Sequence, residues 1–324
     1  MIRPRVIKKL FLLAIVLAFL LSMPVWASSF LLRLATVSLF FSLSVLSFNF
    51  LAGQLGLTSL MQGTLVGISA YIIAILQVKY RLGFPIPELT AVSLTASLAA
   101  VLGVGLIRTR GVYFLVLTMV IGLAFWALAV QWVEMSGGTT GIIGVRAPIL
   151  FGVNLRSPIP FYYCVLTFAL LFYVAFWFLC RSRYGLVLRG IRENERRMRS
   201  LGYNVRLIIW ISLVLSSLPA AFNGVFLAYD LGVMNPHQMT LTTNVYVLLA
   251  GIMGGAESIV GALLGAFGLK TLDIYVAAWT ERYLLFTGVV FVLVVLFRQQ
   301  VISMVRKALA SLLDSLRRFG KVFY

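Results

Sequence analysis

The sequence has little with which to do covalent or metal chemistry. Its 324 residues contain one histidine, His237, and two cysteines, Cys164 and Cys180. Metal sites built from soft ligands need several such side chains together, and these cannot supply a cluster. Both cysteines fall in one expected helix, where sixteen residues at about 1.5 Å rise place them ~24 Å apart, beyond disulfide reach. His237 follows Pro236 in a loop and reads as a solvated side chain rather than a catalyst. No nucleophile–base–acid set is visible. GAFGLKT, Gly265 to Thr271, fails as a phosphate loop: Leu269 separates glycine from lysine, and the surroundings read as membrane helix. An enzyme is not expected, and neither cofactor nor metal is expected in the chain.

Charge is scarce as well. Charged residues make up 11% of the chain, against about a quarter in soluble domains. Nine acids face 27 lysines and arginines, for a net charge of +18. The basic residues cluster in loops and tails between apolar runs. That pattern sets orientation in a bilayer and attraction to anionic lipid, so no nucleic-acid partner is expected. Asp273 lies three residues after Lys270, Glu134 and Asp230 sit near span ends, and Glu257 lies by a glycine break. A cation-coupled carrier wants an unpaired acid in mid-span, and none stands out.

What is abundant is apolar sequence, 61% of the chain. Runs of roughly 18 or more apolar residues read as membrane-spanning helices. The basic N-terminus (Arg3, Arg5, Lys8, Lys9) and the apolar run from Leu10 mimic a signal peptide, read here as an uncleaved first span. Further spans are expected over Phe30–Ala52, Leu57–Val78, Leu89–Ile107, Val112–Val133, Phe161–Cys180, Leu207–Ala228, Val245–Met253, Ile259–Ala278 and Tyr283–Leu296. The fold class is therefore all-α: a polytopic transmembrane bundle of about ten spans, or fewer with re-entrant segments near 53–57 and 243–260. Gly53, Gly56, Gly63, Gly67, Gly261, Gly265 and Gly268 predict close helix approach. Residues 1–300 form the membrane domain, and 301–324 a basic amphipathic tail at the inner surface. Charge and parity place both termini, Arg108–Arg110 and residues 181–206 in the cytoplasm.

The arginine-rich stretch from Arg181 to Leu207 organises the chain. Arg181, Arg183, Arg189, Arg192, Arg196, Arg197, Arg199 and Arg206 face only Glu193 and Glu195. One helix over Val187–Leu201 at about 100° per residue puts Val187, Leu188, Ile191, Met198 and Leu201 on one side. Arg189, Arg192, Arg196, Arg197 and Arg199 fall on the other, so the expected role is docking to another protein, the apolar stripe for a groove on the partner and the arginines for its acidic rim.

Four stretches carry a family resemblance: GQLGLTSLMQGTLVGISAY (Gly53–Tyr71), GVYFLVLTMVIGLAFWALAVQ (Gly111–Gln131) with SGGTTGIIGV after it, SRYGLVLRGIRENERRMRSLGYNV (Ser182–Val205) and VLLAGIMGGAESIVGALLGA (Val247–Ala266). The chain resembles the permeases of branched-chain amino acid ABC importers, in particular LivM-type subunits. The resemblance implies an ABC importer permease fold in a bacterial inner membrane. It also implies partners: a second, LivH-type permease, two cytoplasmic ATPases carrying ATP and Mg, and an extracytoplasmic substrate-binding protein. Coupling to the ATPases is expected of Gly185, Ile191, Arg192, Glu193, Asn194, Glu195 and Gly202. Gln54, Thr58, Gln62, Asn223 and Asn244 are polar span-associated positions for a solute path, or for helix–helix hydrogen bonds. Met61, Ser69, Leu218–Pro219 and Ala256–Ser258 depart from the family pattern and bear on which solute is carried. Urea, amides or other small polar solutes are the alternative cargo. A self-sufficient ion-coupled secondary transporter is the alternative mechanism.

Overall fold

A long apolar segment away from water must satisfy its backbone within itself, and a helix does so. The computed structural model describes residues 20–150 and 153–277, with positions 288, 289 and 292. Two units divide the chain, Met1–Lys270 and Thr271–Tyr324. The helices are α1 (Ser29–Asn49), continued by a wide turn Phe50–Leu55; α2 (Gln62–Ala74), continued by a wide turn to Lys79; α3 (Ile86–Leu106); α4 (Gly111–Gln131); and the short α5 (Val133–Ser136). After them come α6 (Pro158–Arg181), α7 (Arg183–Glu193), α8 (Glu195–Ser200), α9 (Val205–Leu231), α10 (Leu241–Gly254) and α11 (Ile259–Ala277).

Among the described residues seven helices are long and apolar enough to cross a membrane: α1, α2, α3, α4, α6, α9 and α11. Each coincides with an expected span. The eighth expected span, Val245–Met253, is α10, which has 14 residues. At 1.5 Å rise it reaches only about 21 Å, short of a ~30 Å hydrocarbon core. Residues 20–26 are helical; the rest of the expected first span, the last span Tyr283–Leu296 and the tail 301–324 lie outside the described residues, apart from positions 288, 289 and 292.

Helix α1 is the hub. Its apolar window is 72% buried, against 22% for α4, and it packs against α6, α9 and α10. Small hydroxyl side chains allow this: Thr36, Ser38, Ser42, Ser44 and Ser47 are all buried. Helix α9 lies against α1, α2 and α3. It contains Pro219, which cannot donate to the helical ladder. Hydroxyls from neighbouring helices attend to that region: Ser47 reaches the Ser216 carbonyl, and Ser69 Oγ donates to the Ala221 carbonyl at 2.7 Å. The Gln62 amide lies 2.8 Å from Ser47 Oγ. The atom facing Ser47 is Gln62 Oε1, so the serine hydroxyl is shared between two acceptors on neighbouring helices.

Helix α2 begins at Gln62 rather than Leu57, because residues 56–61 are not helical. Beyond Gly56, which is exposed, this break is largely buried in protein. Leu60 N donates to Thr118 Oγ1 at 3.0 Å, about a third of the way along α4. The first N–H groups of α2 then need acceptors, and Asn244 of α10 supplies one: its Oδ1 accepts from Gly63 N at 2.8 Å and Thr64 N at 3.3 Å. Removing such a cap costs about 1 kcal/mol in water and more where no water can replace it.

The loops gather at two ends. At one end Ile142–Ile143 (β1) pairs antiparallel with Val233–Met234 (β4), with Ile142 opposite Met234. Ile149–Leu150 (β2) pairs with Val153–Asn154 (β3) there, Arg33 lies 3.9 Å from Asp230, and Lys79 donates to the Glu134 carbonyl. At the other end lie Gly53–Gly56, Arg108–Arg110, residues 181–204 and Gly255–Ser258.

Close glycine packing is present at Gly53 and Gly265 among the expected positions and also at Gly224, whereas Gly268 meets only Met253 Cε at 3.7 Å. A Cβ on Gly53 would lie 2.2 Å from Ala256 O, on Gly265 2.0 Å from Ala250 O, and on Gly224 2.3 Å from Val66 O. Gly224→Val should therefore prise α9 from α2 and destabilise the fold by about 1–3 kcal/mol or more. The yield of monodisperse protein in detergent and its melting temperature should both fall, while Gly105→Ala, which meets open space, should change neither.

Candidate functional site

Two short helices, not one, form the arginine-rich hairpin. The single helix expected over Val187–Leu201 breaks at Asn194, which is extended at φ −157°, ψ 96°. Its side chain caps the next helix, Oδ1 accepting from Arg197 N at 3.0 Å. Asparagine favours that role over a helix interior, which is why the break falls there. Ser182 caps α7, its Oγ accepting from Tyr184 N at 3.2 Å. Gly202 ends the hairpin at φ +88°, a conformation glycine adopts without strain.

The apolar stripe turns inward, against the expectation that it serves a partner. Leu188 and Ile191 are buried, and Val187 and Met198 pack partly buried on the same core. Gly185 makes this possible: a Cβ there would lie 2.2 Å from Cys180 O, so only glycine lets α7 fold back on α6. Tyr184 Oη, 3.1 Å from Ile208 O and 2.7 Å from Ser212 Oγ, fastens α7 to α9. Leu201, assigned to the stripe from periodicity, is exposed instead, as are Leu186 and Tyr203. Periodicity finds the stripe; it cannot tell which body covers it.

Two arginines tie the hairpin to the bundle. Arg110 holds Glu195 with both arms, Nε to Oε2 at 2.8 Å and Nη2 to Oε1 at 3.0 Å, and Arg199 adds a third bond at 2.5 Å. Arg192, expected to pair with a partner's acidic rim, points at the bundle instead. Its Nη1 donates to the Gly53 carbonyl and its Nη2 to Glu257 Oε1, both at 2.6 Å. Arg110 and Glu257 thus belong to the site although the sequence offered only a basic turn and an acid beside a glycine break. Their partners lie 85 and 65 residues away. A cavity of ≈ 220 Å³, lined by Leu55, Gly56, Leu57, Arg110, Ile191, Arg192 and Glu195 among others, separates hairpin from bundle between these ties. Glu193 is exposed and faces away, with Arg183, Arg189, Arg196 and Arg197 also on the surface.

The five polar positions divide. Asn244 is spent on Gly63, Thr64 and the Thr240 carbonyl. Gln62 is spent on Ser47. Asn223 Nδ2 meets Ser44 Oγ, but its Oδ1 is buried without a hydrogen-bond partner among the described residues, as is Gln54 Oε1. Thr58 is half-buried in the break before α2.

Hydrogen bonds from Arg110 hold the Glu195 carboxyl below its ordinary 4.5; partial burial opposes this and Arg199 reinforces it. A lowered folded value means the stabilising effect is complete above 4.5 and is lost as pH falls through the folded value. Hydrogen exchange over 183–203, corrected for its intrinsic pH dependence, should be constant from pH 8 to 5 and rise below about 4.5. In Glu195→Gln the hairpin should exchange faster at neutral pH and lose this acid transition.

The family model described as "Branched-chain amino acid transport system / permease component" matches residues 30–295. The chain is 28% identical over 323 residues to the high-affinity branched-chain amino acid transport system permease protein LivM of Escherichia coli (strain K12), covering 90% of this chain and 74% of that protein. LivM of Salmonella typhimurium is 28% identical over 319 residues with the same coverage. The autoinducer 2 import system permease protein LsrC of Escherichia coli O9:H4 is 27% identical over 178 residues, 52% of this chain and 48% of that one. No solved structure matches. With that family model matching well over half of its length, the chain belongs to the permease component family of branched-chain amino acid transport systems.

Proposed function

We propose that this chain is one membrane subunit of an ATP-driven importer of branched-chain amino acids in a bacterial inner membrane, working by alternating access. A second, LivH-type permease, two cytoplasmic ATPases carrying ATP and Mg, and an extracytoplasmic binding protein complete the particle. The observation that carries the reading is the similarity to LivM proteins over 90% of the chain. The basic hairpin supports it, since the positive-inside bias puts that end of the bundle in the cytoplasm, where ATPases are.

In this reading the residues of the hairpin have separate tasks. Gly185, Asn194 and Gly202 set its shape. Ile191 seats it on the bundle, and Arg192 and Glu195 tie it to the span ends. Leu186, Leu201 and Tyr203, with Glu193 and the outer arginines, form the face an ATPase groove with an acidic rim would take. ATP-driven movement of the ATPases then carries the hairpin and rocks the spans between inward- and outward-open states. For the solute path the reading retains Gln54, Thr58 and Asn223; Gln62 and Asn244 are committed to helix contacts.

The complex in proteoliposomes, supplied with its binding protein, should take up leucine, isoleucine or valine only with ATP on the ATPase side. Leu201→Glu should lower co-purification of the ATPases about tenfold, the loss expected for a central apolar anchor, at unchanged yield of the permease. Uptake driven by an ion gradient through this chain alone would overturn the proposal, and selective uptake of urea or amides in place of the three amino acids would overturn the cargo.

A further inference from the structure

Arg192 of the exposed hairpin grips the two helix breaks where they meet. We infer that it is a positioning residue: a catch that joins the hairpin to the end of α1 and to the α10–α11 turn, and that opens and closes as the permease changes state. The inference deepens the coupling reading above and rests on it.

The geometry carries it from both sides. Gly53 lies in the last turn of the helical run that ends at Leu55, where carbonyls lack helical partners and carry partial negative charge. Arg192 Nη1 satisfies the Gly53 carbonyl at 2.6 Å. Its stem lies over Gly56, which has φ +71° and where a Cβ would stand 3.1 Å from Arg192 Cγ. Its Nη2 takes Glu257 at 2.6 Å across the approach of Gly53 to Ala256. From inside the bundle, Asn49 Nδ2 donates to Gly255 O at 3.3 Å and Ser258 O at 3.0 Å, so the turn bearing Glu257 is held by α1 as well. One guanidinium therefore registers the end of α1 and the α10–α11 turn together.

Exposure separates a catch from a fixed joint. The Arg192 and Glu257 side chains are 37% and 69% exposed, whereas Arg110 and Glu195 are 33% and 22% exposed and bond bidentately. An ion pair as wet as Arg192–Glu257 adds little to fold stability, so its making and breaking cost little within a turnover. The hairpin has a firm attachment at Glu195, a light one at Arg192, and the open cleft between them.

The test reads solute taken up per ATP hydrolysed by the complete complex in proteoliposomes, with preparations matched for co-purified ATPase. Glu257→Gln should lower that ratio about threefold to fivefold, the most that an exposed pair can supply and the low end of coupling between sites, and Glu257→Asp should recover most of it. Arg192→Gln combined with Glu257→Gln should fall within about twofold of the worse single variant, since partners in one interaction do not act additively. Where Glu257→Gln yields no complex, Arg192→Lys, which keeps the charge but reaches one acceptor at a time, should show an intermediate loss. An unchanged ratio in Glu257→Gln or Arg192→Lys, no recovery by aspartate, or losses that multiply in the double variant would each overturn the catch. Wild-type complex with no ATP-dependent uptake would instead overturn the coupling reading itself.

Discussion

An N–H group buried away from water must find an acceptor, and the start of α2 inside the bundle creates several that the helix cannot supply. Asn244 answers that demand by accepting from Gly63 and Thr64. Much of the architecture follows. Helix α10 must begin near that level, so it is short, and it is preceded by the turn Pro236–Met239, with Met239 against Gly67. Gly122 of α4 must lack a side chain, because a Cβ there would meet Thr64 Oγ1 at 2.8 Å. The second break is served in return: Asn49 of α1 donates to the carbonyls of Gly255 and Ser258. Each discontinuity is satisfied by an asparagine from a helix flanking the other, which keeps the two breaks in register.

The hairpin obeys a different balance. Burying a leucine or isoleucine fully is worth about 1.5–3 kcal/mol, whereas a solvent-exposed ion pair is worth about 0–1 kcal/mol. Leu188 and Ile191 therefore decide that the hairpin lies on the bundle, and Arg192 and Glu195 decide its register there. That division leaves the outer face with charge and a few exposed apolar side chains, Leu186, Leu201 and Tyr203. A body seated by apolar packing yet positioned by ion pairs moves as a unit without unfolding.

Legibility in the sequence follows the range of the physics. Hydropathy is summed locally, so the seven described spans were readable as apolar runs, and basic turns such as Arg108–Arg110 assigned their ends consistently. The start of α2 lies five residues beyond the expected Leu57, because Leu57, Leu60 and Met61 keep the stretch apolar enough to read as helix and the acceptors for its N–H groups come from Thr118 and Asn244. The break at Asn194 was hidden by a stripe that continues to Leu201 on a helical wheel. Asn194 itself was the available signal, a capping residue followed by Glu195. The ties from Arg110 and Arg192 had no local signature, since their partners arrive only when four separate connections converge.

The buried polarity of this subunit is mostly spent on itself. Thr36 Oγ1 donates to Leu32 O and Ser42 Oγ to Leu39 O within α1, and Ser47, Gln62 and Asn244 bind neighbouring helices. A hydroxyl bonded to its own backbone is small, closes no gap and offers a solute little, so a serine-rich helix suits a tightly packed hub better than a pore wall. A side-chain amide left half satisfied is different. Its oxygen bears a desolvation cost that an incoming donor would relieve. Asn49, Gln54, Asn223 and Asn235 each keep a buried amide oxygen without a hydrogen-bond partner among the described residues; Gln54 lies just after the Gly53 contact with Ala256 and Asn223 on the buried face of α9. Gln54 and Asn223 thus lie beside the hub where the helices are broken or carry proline, which is also where a rearrangement of the bundle disturbs the fewest helical hydrogen bonds.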